Sequence, residues 1–122
     1  MNFTNNIKIS EKRNSNNRDS KKNHKYTFSL DRLKITNFRN HSDLSIDLKE
    51  KTIVLYGKNG AGKTNILEAI SLLNPGRGLR KAKSKDLYPF SSKLNKENHF
   101  WAVNADVLTP TGNINIGTGS NL

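Results

Sequence analysis

The sequence has no cysteine, few aromatic residues and no long apolar run. Without cysteine, the chain cannot form a disulfide, a cysteine-ligated zinc site or a thiol nucleophile. No uninterrupted apolar run exceeds four residues, as in Ile53–Tyr56, whereas a membrane helix needs about 20. Residues 1–28 contain no apolar stretch of the signal-peptide type. We therefore expect a cytoplasmic protein with no membrane partner.

Acidic side chains are also scarce, and the basic excess is unevenly distributed. The 122 residues include 21 Lys and Arg but only 10 Asp and Glu, a formal net charge of +11. Residues 1–28 hold seven basic and two acidic side chains, and residues 77–96 hold seven and one. Residues 97–122 hold no basic side chain. Clustered basic charge is typical of proteins with a polyanionic partner.

Residues 1–28 are predicted to be a disordered, basic, Asn/Lys-rich extension. They contain seven Asn, and their few apolar side chains show no helical or strand period. Such a segment buries too little apolar surface to offset its ordering entropy. Its charge fits either a solvated tail or a nucleic-acid-binding arm. The remainder, residues 29–122, is short enough to hold one domain at most.

Hydrophobic periodicity predicts an α/β order of elements in residues 29–122. Alternating apolar side chains predict strands at 33–38 and 44–48, joined by a turn at 40–42 into an antiparallel pair. The β-branched run 52–56 predicts a strand buried on both faces.

A helix is predicted to begin at Lys63, with its apolar face formed by Ile66, Ile70 and Leu73 and with Leu67 beside it. The Asn-Pro-Gly sequence at 74–76 would end this helix. Further along, residues 77–96 predict a basic loop or short helices. Residues 99–108 alternate as a strand does, and a return strand is predicted to begin at Ile114.

One motif carries chemistry. Residues 57–64 read GKNGAGKT, which satisfies the phosphate-binding pattern G-x-x-x-x-G-K-[ST] between a predicted strand and a predicted helix. Glycines let the main chain approach a phosphate closely, and main-chain N–H groups at a helix N-terminus bind it. Lys63 would reach the β- and γ-phosphates, and the Thr64 hydroxyl would bind Mg²⁺. The two strands before this P-loop are unlike nucleotide kinases and more like ABC-type ATPase heads.

Three segments, 30–48, 56–73 and 76–83, resemble the N-terminal part of the RecF family of DNA replication and repair ATPases. The most specific features are Asn-Phe-Arg-Asn at 37–40, Asn65 directly after Thr64, Leu-Glu-Ala-Ile at 67–70, and Gly-Arg-Gly-Leu-Arg at 76–80. The resemblance is strongest over 30–83 and extends to residue 122, whereas residues 1–28 have no counterpart. It implies the N-terminal part of an ABC/SMC-like P-loop NTPase head, with a mixed sheet and a P-loop helix.

This resemblance implies ATP and Mg²⁺ as cofactors and an ATP-dependent homodimer. It also implies single-stranded or gapped DNA and other recombination-mediator proteins as partners, in replication, recombinational repair and the SOS response. The residues it places at the nucleotide are Gly57, Lys58, Asn59, Gly60, Ala61, Gly62, Lys63, Thr64 and Asn65.

Two further sets of residues have open interpretations. Arg39 and Asn40 are either neighbours of the nucleotide or part of an exposed turn. Four side chains either contact DNA phosphates or form a solvated face, namely Arg77, Arg80, Lys81 and Lys83.

The family's Walker B acidic pair, catalytic glutamate and signature motif are expected beyond residue 122. No catalytic residue is therefore assigned, and hydrolysis by this chain alone is not expected. Two alternatives remain open. One is the head of another SMC-like or nuclease-associated P-loop ATPase, and the other is a small basic nucleic-acid-binding protein with a vestigial P-loop.

Overall fold

The computed structural model describes residues 28–49, 52–89 and 100–121, together with the backbone of residues 8–11. The elements, in chain order, are β1 Lys8–Glu11, β2 Ser29–Phe38, β3 His41–Asp47, β4 Ile53–Tyr56, α1 Lys63–Ser71, a short 3-10 helix Ser84–Asp86, β5 Phe100–Thr109 and β6 Gly112–Asn121. No helix in these ranges is long and apolar enough to cross a membrane.

The larger sheet has four strands in the order β3-β2-β5-β6. Each described pair in it is antiparallel, with β2 between β3 and β5. Leu33 and Ile35 of β2 are fully buried, whereas Arg32 and Lys34 between them are exposed. This period of two places the apolar side chains of β2 on one face. The predicted antiparallel pair and the predicted return strand are confirmed.

The connection between β2 and β3 is tighter than predicted. Phe38 pairs directly with His41, so only Arg39 and Asn40 form the turn. Arg39 has φ 55°, the left-handed conformation that two-residue hairpin turns require. The prediction of a turn over 40–42 was wrong for residues 41 and 42, because this compact turn lets β3 begin at His41.

The core lies between one face of the four-stranded sheet and α1. Ile66 and Ala69 of α1 are buried together with apolar side chains of β2 and β5. The Phe38 and Trp101 rings meet edge to face, with centroids 5.6 Å apart and planes at 70°. This packing holds the N-terminal end of α1 beside the β2–β3 turn.

The helix differs from its prediction in two details. It ends at Ser71, three residues before the predicted stop at Asn74, and the Leu72 N–H closes the last turn on the carbonyls of Glu68 and Ala69. Ile66 is buried as predicted, whereas Leu67 is 51% exposed. Residue 67 follows 66 by about 100° around the helix axis, and this rotation turns Leu67 away from the sheet.

The strand before the P-loop is not buried on both faces, so that prediction was wrong. Leu55 packs against the core, but Val54 and Tyr56 are 42% and 46% exposed. Successive strand residues face opposite sides. Within the described ranges, the core covers only the side of β4 that carries Leu55.

Part of the predicted disordered extension is a strand. Lys8–Glu11 form β1, which pairs antiparallel with the whole of β4, from Lys8 opposite Tyr56 to Glu11 opposite Ile53. The prediction was wrong for these four residues, since main-chain hydrogen bonding to β4 needs no apolar period. The rest of residues 1–27 lies outside the described residues.

Candidate nucleotide-binding site

The P-loop joins β4 to α1. Gly60 and Gly62 have φ values of 83° and 95°, a left-handed conformation that disfavours a Cβ. Gly62 is the N-cap residue of α1, and no side-chain hydrogen bond caps this helix. The first N–H groups of a helix have no partner within the helix, and they carry partial positive charge. This end of α1 is therefore chemically suited to bind a phosphate.

Lys63 lies across the loop. Its Nζ donates hydrogen bonds to the carbonyl oxygens of Gly57, at 2.7 Å, and Lys58, at 2.8 Å. The side chain thus reaches back from the first residue of α1 to the first two residues of the loop. An ammonium group held there faces the place where a P-loop binds the β- and γ-phosphates.

Thr64 is exposed in the first turn of α1. Mg²⁺ in nucleotide sites keeps several waters and takes few protein ligands besides the phosphates. One exposed hydroxyl beside the phosphate loop fits this coordination. The described ranges contain no cluster of three or more His, Asp or Glu side chains that could hold a metal by themselves.

The β2–β3 turn packs directly against the loop at Gly62. His41 is fully buried, and its Nε2 donates a hydrogen bond to the Gly62 carbonyl at 3.2 Å. A carbonyl only accepts, so the ring carries a proton on Nε2. A Cβ on Gly62 would lie 2.6 Å from Asn40 Nδ2 and 2.7 Å from His41 Nε2. The absence of a side chain at Gly62 is therefore what allows the turn to lie this close.

We expect Gly62→Ala to be more damaging than Gly60→Ala, although both residues have positive φ. A left-handed conformation costs a residue with a Cβ about 1–2 kcal/mol. A Cβ on Gly60 would meet open space, so Gly60→Ala should have only this conformational cost. Gly62→Ala also forces Asn40 and His41 away, and it should destabilise the fold by about 1–3 kcal/mol more. Urea unfolding of the two variants measures the difference, and equal losses would contradict this packing.

A buried carboxylate connects α1 to two arginines. Glu68 is 1% exposed, and Arg39 donates to it twice, Nε to Oε2 at 3.0 Å and Nη2 to Oε1 at 2.8 Å. Arg80 Nη1 approaches Oε2 at 3.5 Å. Paired hydrogen bonds of this kind are among the stronger side-chain interactions. Glu68 thus ties the β2–β3 turn and the basic segment 77–83 to the P-loop helix.

Asn65 makes a second link between the same three segments. Its Nδ2 donates to Asn40 Oδ1 at 2.8 Å, and its Oδ1 accepts from Arg80 Nη1 at 3.1 Å. The Leu79 N–H donates to Ser71 Oγ at 2.7 Å, which anchors the start of the basic segment on the end of α1. Asn65, predicted to contact the nucleotide, and Asn40, for which this was one of two interpretations, are therefore brought together beside Gly62.

The two interpretations of Arg39 and Asn40 can now be compared with the geometry. They do form a turn, but the Arg39 side chain is 23% exposed and paired with Glu68. The Arg39 N–H donates to the Leu87 carbonyl at 2.8 Å. The Arg39 side chain is therefore held against α1, whereas Asn40 is exposed beside Gly62 and Asn65.

An open cavity of about 830 Å³ adjoins this network. It contains four basic side chains and one carboxylate, and its lining consists of Arg39, Asn40, Asn65, Arg80, Lys81, Ala82, Lys83, Asp86 and Tyr88. Three of the four predicted DNA-contacting residues, Arg80, Lys81 and Lys83, therefore line this cavity, whereas Arg77 does not. The charge balance of the cavity suits an anionic ligand.

Sequence reasoning assigned no role to Glu68 or His41. Glu68 carried one signal, because it is the only acidic residue between Glu50 and Asp86, a stretch with eight Lys and Arg. Such an isolated acid is a candidate partner for surrounding cations. His41 had no comparable signal, since a histidine in an Asn-His-Ser sequence is typical of any exposed turn.

Burial lowers the pKa of His41 below its ordinary value of 6.5, and the hydrogen bond to Gly62 opposes this only in part. Below pH 6.5 the unfolded chain therefore binds a proton at His41 that the folded chain binds less readily, and stability falls as the pH falls. We expect the free energy of unfolding to decrease from pH 7.5 to pH 5.5, with a smaller decrease in His41→Gln. Urea titrations at both pH values test this, and parallel losses would contradict it.

An apolar strand, a glycine loop spanned by a lysine and a helix with an uncapped N-terminus define a P-loop ATPase head of the α/β class. The chain belongs to the AAA ATPase domain family, whose sequence model matches residues 28–111. Within it, the chain is similar to the DNA replication and repair protein RecF. It is 46% identical over 91 residues to RecF of Agrobacterium fabrum and 48% identical over 90 residues to RecF of Mesorhizobium japonicum.

The structure agrees with this similarity. A solved structure of the recombination mediator protein RecF with ATP, from the RecFOR pathway, matches with a TM-score of 0.61 at 25% identity. The match covers 80% of this chain and 25% of that one. The two curated relatives match over 75% and 74% of this chain, which spans 23% and 22% of their length. The resemblance inferred from the motifs is confirmed.

Proposed function

We propose that this chain is the ATP-binding part of a RecF-like protein of DNA replication, recombinational repair and the SOS response. The observation that carries the proposal is the position of Lys63 Nζ, held across the P-loop by two carbonyls of that loop. Such an ammonium can exchange its carbonyl partners for phosphate oxygens with little movement. The similarity to RecF supports the biological context.

Each part of the loop has a different proposed role in binding the nucleotide. The N–H groups of residues 60 and 62–64 would donate to phosphate oxygens at the N-terminus of α1, whereas the Ala61 N–H donates to the Lys58 carbonyl at 3.2 Å. Lys63 neutralises charge on the β- and γ-phosphates, and Thr64 provides the hydroxyl ligand of Mg²⁺. Mg²⁺ held at the Thr64 hydroxyl would supply positive charge that offsets the charge of the phosphates. Arg39 and Asn40 adjoin this site through Gly62 and Glu68, and they remain proposed neighbours of the nucleotide.

Hydrolysis is not proposed for this chain alone. Glu68 is the carboxylate of the P-loop helix, and both of its oxygens accept from Arg39. Glu68 is 1% exposed and both of its oxygens face arginine donors, so a water attacking a phosphate has little access to it. Glu68 is therefore structural, and no described residue is assigned a catalytic role.

A titration with ATP in the presence and absence of Mg²⁺ tests the proposal directly. If ATP binds more tightly with Mg²⁺, the result supports a nucleotide site in which the Thr64 hydroxyl is a ligand of the metal. DNA binding without any ATP binding would instead favour a basic nucleic-acid-binding protein with a vestigial P-loop. ATP-dependent homodimerisation and contacts with other recombination mediators are part of the same proposal, and sedimentation with and without ATP tests the first of these.

The basic wall of the cavity is proposed to contact phosphates of single-stranded or gapped DNA. Each phosphate contact on single-stranded nucleic acid contributes about 0.7 to the slope of log affinity against log salt. We expect Lys81→Gln with Lys83→Gln to lower that slope by about 1.4. Fluorescence anisotropy of a labelled single-stranded oligonucleotide between 50 and 200 mM salt measures it.

The matched control for this experiment removes two basic side chains elsewhere. Lys34 on β2 and Lys49 after β3 are both exposed, and neither lines the cavity. The Lys34→Gln/Lys49→Gln variant has the same net charge as the test variant. Equal slopes for the two double variants would show that the chain binds DNA by overall charge rather than at this wall.

A further inference from the structure

We infer that His41 is a positioning residue for phosphate binding, which fixes the peptide between Gly62 and Lys63 so that the Lys63 N–H faces the phosphate. The inference rests on the proposed nucleotide binding. It adds a residue from outside the P-loop motif to the site. His41 lies 21 positions before Gly62, at the first position of β3.

The contact that carries the inference joins two rigid elements. His41 is fully buried and pairs in register with Phe38, so its backbone is fixed by the β2–β3 hairpin. Its Nε2 lies 3.2 Å from the Gly62 carbonyl oxygen, which it can only meet as a donor. The ring also occupies the space where a side chain on Gly62 would project. The orientation of this carbonyl therefore depends on the hairpin as well as on the loop.

Because a peptide is planar, the contact with the Gly62 carbonyl also fixes the direction of the Lys63 N–H. The Gly62 carbonyl and the Lys63 N–H belong to one planar trans peptide, and they point in opposite directions. The same oxygen accepts from the N–H groups of Asn65, at 3.0 Å, and Ile66, at 3.2 Å. His41 adds a donor from outside the helix. Rotation of the peptide is thereby restricted, and the Lys63 N–H is directed away from α1 toward the phosphate-binding side.

The backbone freedom of glycine increases the effect of this external support. Gly62 has φ 95°, and a residue without a Cβ has more backbone freedom than any other. The first turn of a helix also frays more readily than its middle. A phosphate-binding N–H at this point gains affinity from being oriented before the ligand arrives, because binding then loses less conformational entropy.

Two amide substitutions separate this role from simple packing. A glutamine at position 41 can place its amide nitrogen near the position of the histidine Nε2. An asparagine is too short to reach the Gly62 carbonyl. Both are polar and uncharged. We expect His41→Gln to bind ATP and ADP within about threefold of the wild type, and His41→Asn to bind both about five- to tenfold more weakly, the effect of one hydrogen bond.

A core variant in the same strand controls for stability. Ile46 of β3 is 3% exposed, and Ile46→Val should cost about 0.5–1.5 kcal/mol of stability without touching the loop. We expect it to bind ATP like the wild type. Isothermal titration calorimetry at pH 7.5 gives the affinities. The Lys63 amide resonance in ¹H–¹⁵N spectra reports the peptide directly, and it should shift in His41→Asn more than in the other two variants.

The outcomes distinguish the inference from the function on which it rests. If the wild type binds ATP and His41→Asn binds it equally well, the positioning role is wrong while the proposed function stands. Equal losses in His41→Asn and Ile46→Val also overturn the positioning role, because stability would then explain both. If the wild type binds neither ATP nor ADP, the proposed function and this inference are both overturned.

Discussion

Lys63→Ala is expected to weaken ATP binding by about 100-fold or more. A hydrogen bond to a charged group contributes about 1.5–3 kcal/mol, and the ammonium is placed to serve both the β- and γ-phosphates. The substitution also removes the two hydrogen bonds that join Lys63 to the Gly57 and Lys58 carbonyls, so the loop itself loses a cross-link. Calorimetric titration with ATP and Mg²⁺ measures the loss.

Lys58→Ala is the matched control, because it removes the same charge from the same loop. The Lys58 side chain is exposed, and the contact of this residue with Lys63 is made through its main-chain carbonyl. We expect its ATP affinity to fall by less than about fivefold, which reflects long-range attraction alone. Similar losses in both variants would mean that overall loop charge, rather than the position of the Lys63 ammonium, determines affinity.

Glu68→Ala is expected to destabilise the fold by about 3–5 kcal/mol, the cost of breaking a buried ion pair by removing one partner. Arg39 would be left mostly buried without its carboxylate, and Arg80 would lose one of its two hydrogen-bond partners. Small domains are stabilised by only about 5–15 kcal/mol in total, so this loss is a large fraction. Urea unfolding monitored by circular dichroism measures it.

Two comparisons make the Glu68 result interpretable. Asp47→Ala removes an exposed carboxylate whose ion pair with Lys49 is 3.8 Å long, and it should cost less than about 1 kcal/mol. The double variant Glu68→Ala/Arg39→Ala removes both partners, and it should be more stable than the sum of the single effects predicts. Strict additivity, or a Glu68→Ala loss below about 1 kcal/mol, would show that the pair does not hold the turn on α1.

These interactions explain how a short chain keeps its nucleotide loop in shape. The loop is open to ligands on the side of the Lys63 ammonium, and it is supported on the other side by the β2–β3 turn. Asn40 and His41 lie against Gly62, while Arg39 pairs with Glu68 nearly two turns further along α1. The residues proposed to bind the phosphate are thus supported by contacts from another segment, as a preorganised site requires.

The basic segment 77–83 is tied to the same support. Arg80 donates to Asn65, the residue directly after Thr64, and approaches Glu68. An anion bound in the cavity would compete for Arg80 with both partners. The Asn65 side chain contacts both Arg80 and Asn40, so the basic segment and the β2–β3 turn share this residue.

The elements that were predicted correctly depend on near neighbours in the chain. Alternating apolar residues predicted the strands β2 and β5. The glycines and Lys63 predicted the loop. The errors arose where distant segments meet. The β4 strand looked fully buried because its residues are apolar, yet burial depends on which layers pack against it. Lys8–Glu11 looked unstructured because a strand that adds to β4 through its main chain needs no apolar pattern.

By itself, the sequence determined that a glycine loop with the phosphate-binding pattern lies between a strand and a helix at residues 57–64. It could do so because the φ freedom of glycine and the helical and strand periods act between residues that are close along the chain. Only the tertiary structure decided which side chains support that loop. Arg39 and His41 meet their partners across 29 and 21 positions. Contacts over such separations depend on how the sheet and α1 pack together, and local sequence patterns do not predict this packing.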